Sequence, residues 1–352
     1  MVKKSAPTTT SINPKNEKIV DEFEKLVSQI KYDIDHAPNK KEQIKHGFRL
    51  RQIRNAINII KKYPKEIKEG KELKDIKGIG KNTISRIDEI LETGKLSEIK
   101  KEEEIKEYVK YADELQEIIG IGPRTAFDLV KNYNIKSIEE LKKAYNNGEI
   151  ELNDEILVGL KYHGVYKQHI PRNEIDLINK YLEKQVKSVD PKLEYIICGS
   201  YRRKKDFSND VDVLITHPDV KTKLQIKFKE NYLRLLVKKL KKDKFILDDL
   251  TDKDFEVKYM GFCQYKNKKK YPVRRIDIRY VPHESYYTSL LYFTGSGPFN
   301  EKMRGLAKEL GYMLNEYGLY KVEGQKKKRI KVNSEKEIFE KLGMEYIPPE
   351  KR

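Results

Sequence analysis

From about residue 18 to about residue 110, apolar residues recur at three- and four-residue spacing. VDEFEKLVSQI, FRLRQIRNAINIIKKYP and LKDIKGIGKNTISRIDEILETGKL all show it. That is the period of helices with one buried face, and Pro64 and Gly94 mark the ends of two of them. The pattern predicts a small all-helical domain. After Pro171 the period changes. RNEIDLINKYLEKQVKSV reads as an amphipathic helix and LEYIICGS as a strand, while DVDVLITHP, FEVKYMGFCQY and VRRIDIRYVP alternate as strands do. Helical spacing returns between Lys221 and Lys242 and from Phe299 to Leu310. The final part of the chain is therefore expected to be an α+β region with mostly antiparallel strands, beginning near residue 172.

A repeat emerges when the chain is slid by 42 residues: IKGIGKNTISRIDEI (Ile76 to Ile90) falls on IIGIGPRTAFDLVKN (Ile118 to Asn132). Each copy reads helix, Gly-Ile-Gly turn, helix. Gly78 and Gly80, and again Gly120 and Gly122, let the backbone turn tightly and approach another surface. The helix that follows offers free N–H groups and a positive dipole end. Such a turn can hold a backbone phosphate without reading bases. One copy would favour a glycine-capped hairpin with no ligand; two copies in a strongly basic chain reverse that preference.

The basic balance is large: 74 Lys and Arg against 56 Asp and Glu, a formal charge of +18 over 352 residues. This length suits two or more domains, and 38% hydrophobic residues supply real cores. The charge suggests a polyanionic partner, although a Lys-rich solvated surface gives the same number. Cys198 and Cys263 form no disulfide framework and no Cys/His metal spacing, so they read as core thiols in a reducing, intracellular setting. No apolar run has the length of a membrane span, and MVKKSAPTTTSINPKNEK lacks the apolar segment of a signal peptide. Residues 1–18 read as a disordered arm. The run QKKKRIK, Gln325 to Lys331, reads as a phosphate-facing loop in preference to a nuclear signal.

Candidate chemistry lies in CGSYRRKKDFSNDVDVLITHP, Cys198 to Pro218. On a strand, Asp210 and Asp212 would project together while Val211, Val213 and Ile215 take the other face. Two carboxylates so close repel and call for a cation. RRIDIRYV repeats the arrangement, with Ile276 and Ile278 on one face and Arg275, Asp277 and Arg279 on the other. A third carboxylate completes an all-oxygen site that suits Mg²⁺ better than zinc. Each acid taken singly is more often a solvated strand position. The combination with Gly199-Ser200, where N–H groups, a hydroxyl and Arg203 can hold a phosphate, is the inventory of two-metal phosphoryl transfer.

These strings, together with Arg202-Arg203, YFTGS (Tyr292 to Ser296), FNEKMR and NEY (Asn315 to Tyr317), resemble the motif set of the family X DNA polymerases, closest to the polymerase beta type. The likeness runs from about residue 20 through VNSEKEIFEKLGMEYIPPE. It implies a multidomain α and α+β chain: an N-terminal helical domain with helix-hairpin-helix motifs, a nucleotidyltransferase palm with mixed sheet, and a C-terminal α+β subdomain. The boundaries expected are an arm over 1–18, a 5′-phosphate-binding, lyase-like domain over 19–105, a second hairpin subdomain over 106–171, the palm over 172–283 and a nucleotide-selection subdomain over 284–352.

The resemblance also implies roles. Asp210 and Asp212 would bridge two Mg²⁺ ions, with Mn²⁺ as a substitute. Asp277 would bind the catalytic ion and help deprotonate a primer 3′-OH, and Arg275 would tune it. Gly199, Ser200, Arg203, Ser208 and Asn209 would hold a dNTP triphosphate, Tyr292, Phe293 and Gly295 the sugar, and Asn300 the base. Arg304 would contact the template strand, supported by Glu316 and Tyr317. The hairpin glycines and Arg49 would bind DNA, with a monovalent cation at the hairpin carbonyls. Implied partners are gapped or nicked duplex DNA and dNTPs, met by a monomer away from membranes. The implied activity is gap filling in base excision or end joining. Rival readings are a template-independent terminal transferase and a non-catalytic DNA-end scaffold. No segment resembles a proofreading exonuclease.

The chain departs from the family pattern at several positions. Gly297-Pro298 stands where relatives carry an aspartate over the incoming base, His169 where an arginine nears the triphosphate, and Asn209 where the phosphate loop has glycine. The family's lyase lysine falls on Arg86, its two phosphate-binding lysines on Arg49 and Asn82, and a tyrosine on Ile53. A guanidinium stays protonated at working pH and cannot form a Schiff base. Weak or absent lyase chemistry is therefore expected, with Lys81 the nearest substitute.

Overall fold

A computed structural model of the chain describes residues 11–100, 102–165, 168–228, 230–251, 254–267 and 271–352. It divides the chain into two units, the first ending at Leu152 and the second spanning Asn153–Arg352.

The first unit is helical: α1 (Glu17–Asp35), α2 (Lys40–Lys62), α3 (Lys81–Thr93), α4 (Glu102–Leu115), α5 (Pro123–Asn132) and α6 (Ile138–Asn146). The three- and four-residue spacing turns Phe23, Leu26 and Ile30 of α1, Ile53, Ala56 and Ile60 of α2, and Ile87 and Ile90 of α3 into one core. The Asn39 side chain accepts from the Glu42 N–H to open α2, and Gly94, at φ 79°, closes α3. The arm expected over 1–18 lies partly outside the described residues. Residues 11–18 are not an arm. A 3-10 turn spans Pro14–Asn16, and buried Asn16 donates to the Lys65 carbonyl at 2.8 Å and accepts from Ile67 N–H at 2.9 Å.

Both Gly-Ile-Gly turns fold alike. Gly78 and Gly120 hold φ of 104° and 94°, and Ile79 N–H reaches Ile76 O at 3.0 Å as Ile121 N–H reaches Ile118 O at 3.1 Å. The middle isoleucines are buried, which pins each turn against its helices. Gly80 and Gly122 are the N-caps of α3 and α5.

The second unit begins with α7 (Asp154–Lys161), β1 (Ile170–Pro171) and α8 (Arg172–Val189), followed by β2 (Glu194–Ile197), α9 (Gly199–Arg202), β3 (Phe207–Ser208) and β4 (Val211–Thr216). Next come α10 (Lys223–Phe228), α11 (Tyr232–Lys242), β5 (Ile246–Asp249), β6 (Lys258–Cys263) and β7 (Arg274–Tyr280). A five-stranded mixed sheet runs β2-β4-β7-β6-β5, with β4 and β7 parallel and the other neighbours antiparallel. Val211, Val213 and Ile215 of β4 and Ile276, Ile278 and Tyr280 of β7 share one core with apolar residues of α8 and α11. The opposite face of β4 carries Asp212 and then Leu214, which packs with Cys198, Val281 and Leu290. Cys198 and Cys263 are both buried and free.

The chain continues through α12 (Tyr286–Thr294), α13 (Gly297–Glu309), an antiparallel sheet of β8 (Tyr312–Asn315), β9 (Gly318–Glu323) and β10 (Lys326–Ile330), and α14 (Glu335–Lys341). QKKKRIK is thus mostly a strand and not a loop: Lys326 to Ile330 pair with Glu323 to Leu319. The period-2 signal is hidden there because nearly every side chain is basic.

Candidate active site

Three carboxylates meet where β4 and β7 begin. In the parallel register Asp212 lies beside Asp277, as Val211 lies beside Ile276. Alternation is complete along β7: Arg274, Ile276, Ile278 and Tyr280 are buried, and Arg275, Asp277 and Arg279 half-buried on the other face. Asp210 is not on the strand. It occupies the bend between β3 and β4, because ladder pairing starts only at Val211.

The electrostatics of this corner are costly without a counter-ion. Burial, then the Asp210 and Asp277 charges, push the Asp212 carboxyl up to about 7. Burial and the Asp277 charge also raise Asp210, against the pull of Arg275. Arg275 Nη2 donates to Asp277 Oδ1 at 2.5 Å, while its buried Nε has no hydrogen-bond partner. The donors fit a divalent cation in kind, being all oxygen and mutually repelling. They are not gathered for one: among the described residues no group of three His, Cys, Asp or Glu side chains is close enough to hold an ion. A cation would compete with Arg275 for Asp277.

Next to the acids, β2 ends and the short α9 starts at Gly199, whose φ is 55°. A Cβ there would lie 2.2 Å from Asp212 Oδ2, so the loop approaches the carboxylate only because residue 199 has no side chain. The Cys198 N–H to Asp212 carbonyl bond, 2.8 Å, holds this approach. Ser200 and Ser208 join through their hydroxyls at 2.7 Å. Arg203 donates to the Thr294 carbonyl at 2.5 Å and keeps a buried Nε without a partner, an N–H poised for an anion. At the rim, His169 Nδ1 and Asn209 Oδ1 are 3.0 Å apart, so two of the positions that depart from the family pattern touch each other.

Tyr292 and Phe293 end α12, followed by Gly295 at φ 70°. Asn300 of α13 donates to the Tyr292 carbonyl at 2.7 Å, and the Arg304 guanidinium lies 5.7 Å from the Tyr292 ring centroid. Glu316 and Tyr317 form the turn between β8 and β9. Their backbone carbonyls accept from Ser289 and Ser285, both at 2.7 Å, while the Tyr317 ring faces Lys223.

Sequence reasoning missed the anchors of this site. Arg202 donates to Thr294 Oγ1 at 2.6 Å and to Glu335 at 3.1 and 2.5 Å, and Arg352 reaches the same carboxylate at 2.6 Å. Arg274 forms a buried fork with Glu174 at 2.8 and 2.6 Å. These partners lie 133 and 100 positions apart, and no local pattern announces them.

In the first unit, Gly78, Gly80, Gly120 and Gly122 sit at the two hairpins described above. Arg49 of α2 and Arg86 of α3 converge on the carboxylate of Glu98, Arg86 Nη2 at 3.3 Å from Oε2, and Arg49 Nη1 lies 3.7 Å from Asp33. Lys81, the first residue of α3, is exposed, and Ile53 is core.

Fold and site together define a nucleotidyltransferase palm preceded by tandem hairpin motifs. Residues 169–283 match the DNA polymerase beta palm, 289–352 the DNA polymerase beta thumb, 14–96 a helix-hairpin-helix domain and 112–157 a SAM-like helix-hairpin-helix tandem. DNA polymerase lambda of Arabidopsis thaliana is 32% identical over 314 residues, which is 84% of this chain and 56% of that protein. DNA polymerase lambda of Rattus norvegicus is 31% identical over 84% of this chain and 51% of its own length. The DNA polymerase/3′-5′ exonuclease PolX of Bacillus subtilis (strain 168) is 26% identical over 87% of this chain and 51% of its own. The chain belongs to the family X DNA polymerases. It spans about half the length of these relatives.

Proposed function

We propose that this chain is a DNA-directed DNA polymerase that fills short gaps during base excision or end joining, transferring a nucleotide from dNTP to a primer 3′-OH and releasing pyrophosphate. The observation that carries the reading is the register of Asp212 beside Asp277, with Asp210 adjacent and the Gly199-Ser200 loop against Asp212. Two divalent ions, Mg²⁺ or Mn²⁺, would lower the pKa of the primer hydroxyl and neutralise the leaving pyrophosphate. Asp210 and Asp212 would hold both ions and Asp277 one of them. Asp277 would lie on the primer side, where its carboxylate would help take the hydroxyl proton once Arg275 yields it.

Arg203 Nε, the Ser200 and Ser208 hydroxyls and the Gly199 N–H would bind the triphosphate, with Asn209 and His169 at its rim. Tyr292, Phe293 and Gly295 would take the sugar, Asn300 the base and Arg304 the template strand. The hairpins at Gly78–Gly80 and Gly120–Gly122 would grip phosphates, with a monovalent cation at their carbonyls, so affinity should fall steeply with salt. The working form is a monomer on gapped or nicked duplex, at an intracellular site of repair such as the nucleus. Lyase chemistry would be weak or absent, because Arg86, at the family's nucleophile position, is a permanently charged guanidinium paired with Glu98. Borohydride trapping on an incised abasic substrate would yield no adduct; an adduct lost in Lys81→Ala would identify Lys81 as the substitute nucleophile.

Extension of a primer across a one-nucleotide gap, with and without template, beside Asp277→Ala, tests the main reading. Templated addition lost in the variant is expected. Untemplated addition would favour a terminal transferase, and inactivity of both proteins with intact gap binding a scaffold.

A further inference from the structure

β9 and β10 form a hairpin closed by Gly324, at φ 60°, and Gln325. Its root is held in place. Leu319 and Ile330 lie opposite each other and pack with Leu314 and Phe339, and Arg329 donates to the Glu284 carbonyl at 2.7 Å. Beyond Lys321, which still pairs with Tyr312, the two strands continue without β8, and every residue from Lys321 to Lys328 is exposed. β10 is an edge strand, so one side of this ribbon is free.

The charge on the ribbon is strongly biased. Lys321, Lys326, Lys327 and Lys328 stand with a single acid, Glu323, which pairs with Lys321 at 3.2 Å. Lys326, Lys327 and Lys328 form no ion pair among the described residues. Lys328 stands directly opposite Lys321, and like charges in that position weaken a ladder. Lysines on β10 are expected of an exposed edge, where they block pairing with another chain. Edge protection does not explain the lysine opposite them on β9. A bound polyanion does, because it converts the repulsion into attraction.

We propose that the β9-β10 hairpin is a DNA-binding element that enters a groove of duplex DNA edge first. Side chains alternate across the ribbon, so Lys326 and Lys328 project from one face and Lys327 from the other. A flat acidic protein surface meets only one face of such a ribbon. A groove walled on both sides by phosphates meets both, and the major groove is wide enough to admit two strands. Lysine-phosphate contacts add affinity without reading sequence. This surface lies outside the carboxylate site and both Gly-Ile-Gly turns, and it adds to the proposed gap filling without resting on it.

The test is fluorescence anisotropy of the full chain on a continuous duplex and on the matching single strand, from about 50 to about 200 mM salt. Combining Lys326→Gln, Lys327→Gln and Lys328→Gln should lower the slope of log affinity against log salt by roughly 2–3 on duplex; wild type then loses about 40-fold more affinity than the variant across that range. Lys327→Gln alone should lower the slope by about 1, and Lys326→Gln with Lys328→Gln by about 2. Arginine at the same three positions should keep the wild-type slope. Lys184→Gln, Lys238→Gln and Lys242→Gln, at exposed positions of α8 and α11, control for net charge and should leave the slope unchanged. An unchanged slope in the ribbon variant would overturn the proposal and leave the lysines to edge protection or to an acidic protein. An equal fall in the control variant would overturn it as an effect of net charge alone. A fall confined to the single strand, or to one face of the ribbon, would overturn the groove geometry. Primer extension by the ribbon variant at saturating DNA should match wild type, and a loss there would overturn the assignment to binding.

Discussion

Gly199→Ala tests whether the approach of the Gly-Ser loop to Asp212 sets the rate. Alanine at a φ of 55° costs about 1–2 kcal/mol in backbone strain. The added Cβ would stand 2.2 Å from Asp212 Oδ2 and 3.2 Å from Cγ. An ordinary contact needs roughly 1 Å more, and the 2.8 Å bond from Cys198 N–H to the Asp212 carbonyl keeps the backbone from retreating, so the carboxylate must swing. A displacement of about 1 Å at a reacting site costs on the order of 100-fold. Single-turnover gap filling should therefore show that loss in the chemical step, while anisotropy shows unchanged DNA affinity and urea unfolding a loss of about 1–2 kcal/mol. Gly305→Ala is the control, since a Cβ there meets nothing within 4 Å. A Gly199→Ala rate within about threefold of wild type would refute the claim that Asp212 already stands where it works.

Three further outcomes follow from the packing. Burial raises Asp35 to about 6 from 3.8, against the hydrogen bond donated by Tyr108 and with the Asp113 charge adding to it. The folded state therefore holds an extra proton between these values, and stability falls as pH rises through 6. Asp35→Asn, which keeps an acceptor for Tyr108, should leave urea stability at pH 4 unchanged and raise it at pH 8 by about 1–3 kcal/mol. Arg274→Met strands Glu174, whose side chain like that of Arg274 is 4% exposed, and should cost about 3–5 kcal/mol in urea unfolding; adding Glu174→Leu should restore most of it. Gly78→Ala forces a side chain into a φ of 104° with its Cβ 2.3 Å from Asn55 Nδ2. It should lower stability by about 1–2 kcal/mol and weaken DNA binding in anisotropy, with gap filling at saturating DNA unchanged.

The sequence was most legible where one physical period dominates. The isoleucines of RRIDIRYV turn inward and its charged residues outward, as strand alternation requires, and the 42-residue repeat folds into two turns with matching glycine angles. Legibility failed where the period was masked or the partner distant. Lys326 to Ile330 form a strand whose almost uniformly basic composition hides alternation. Asp210 left its expected strand because pairing with β7 begins one residue later, a fact that depends on the neighbouring strand and not on local sequence.

The distant partners explain why the site holds its shape. Arg202 follows Ser200 by two residues on α9, and its fork to Glu335 ties that turn to the first residue of α14. Glu335 is almost fully buried and is also held by Arg352, whose guanidinium lies 5.5, 5.3 and 5.5 Å from the ring centroids of Phe299, Phe339 and Tyr346. A buried carboxylate between two guanidiniums adds little net stability, because desolvation offsets attraction. It does fix geometry: if Glu335 moved, Arg352, whose side chain is fully buried, and the largely buried Arg202 would lose their carboxylate. The same guanidinium-carboxylate-guanidinium motif occurs at Arg49, Glu98 and Arg86, but there it is open to solvent, and an exposed ion pair fixes geometry less firmly. Burial separates the two uses. Near the Gly199-Ser200 loop the closed version locks α9 in place, whereas in the first unit the open version is screened by water and holds its partners less firmly.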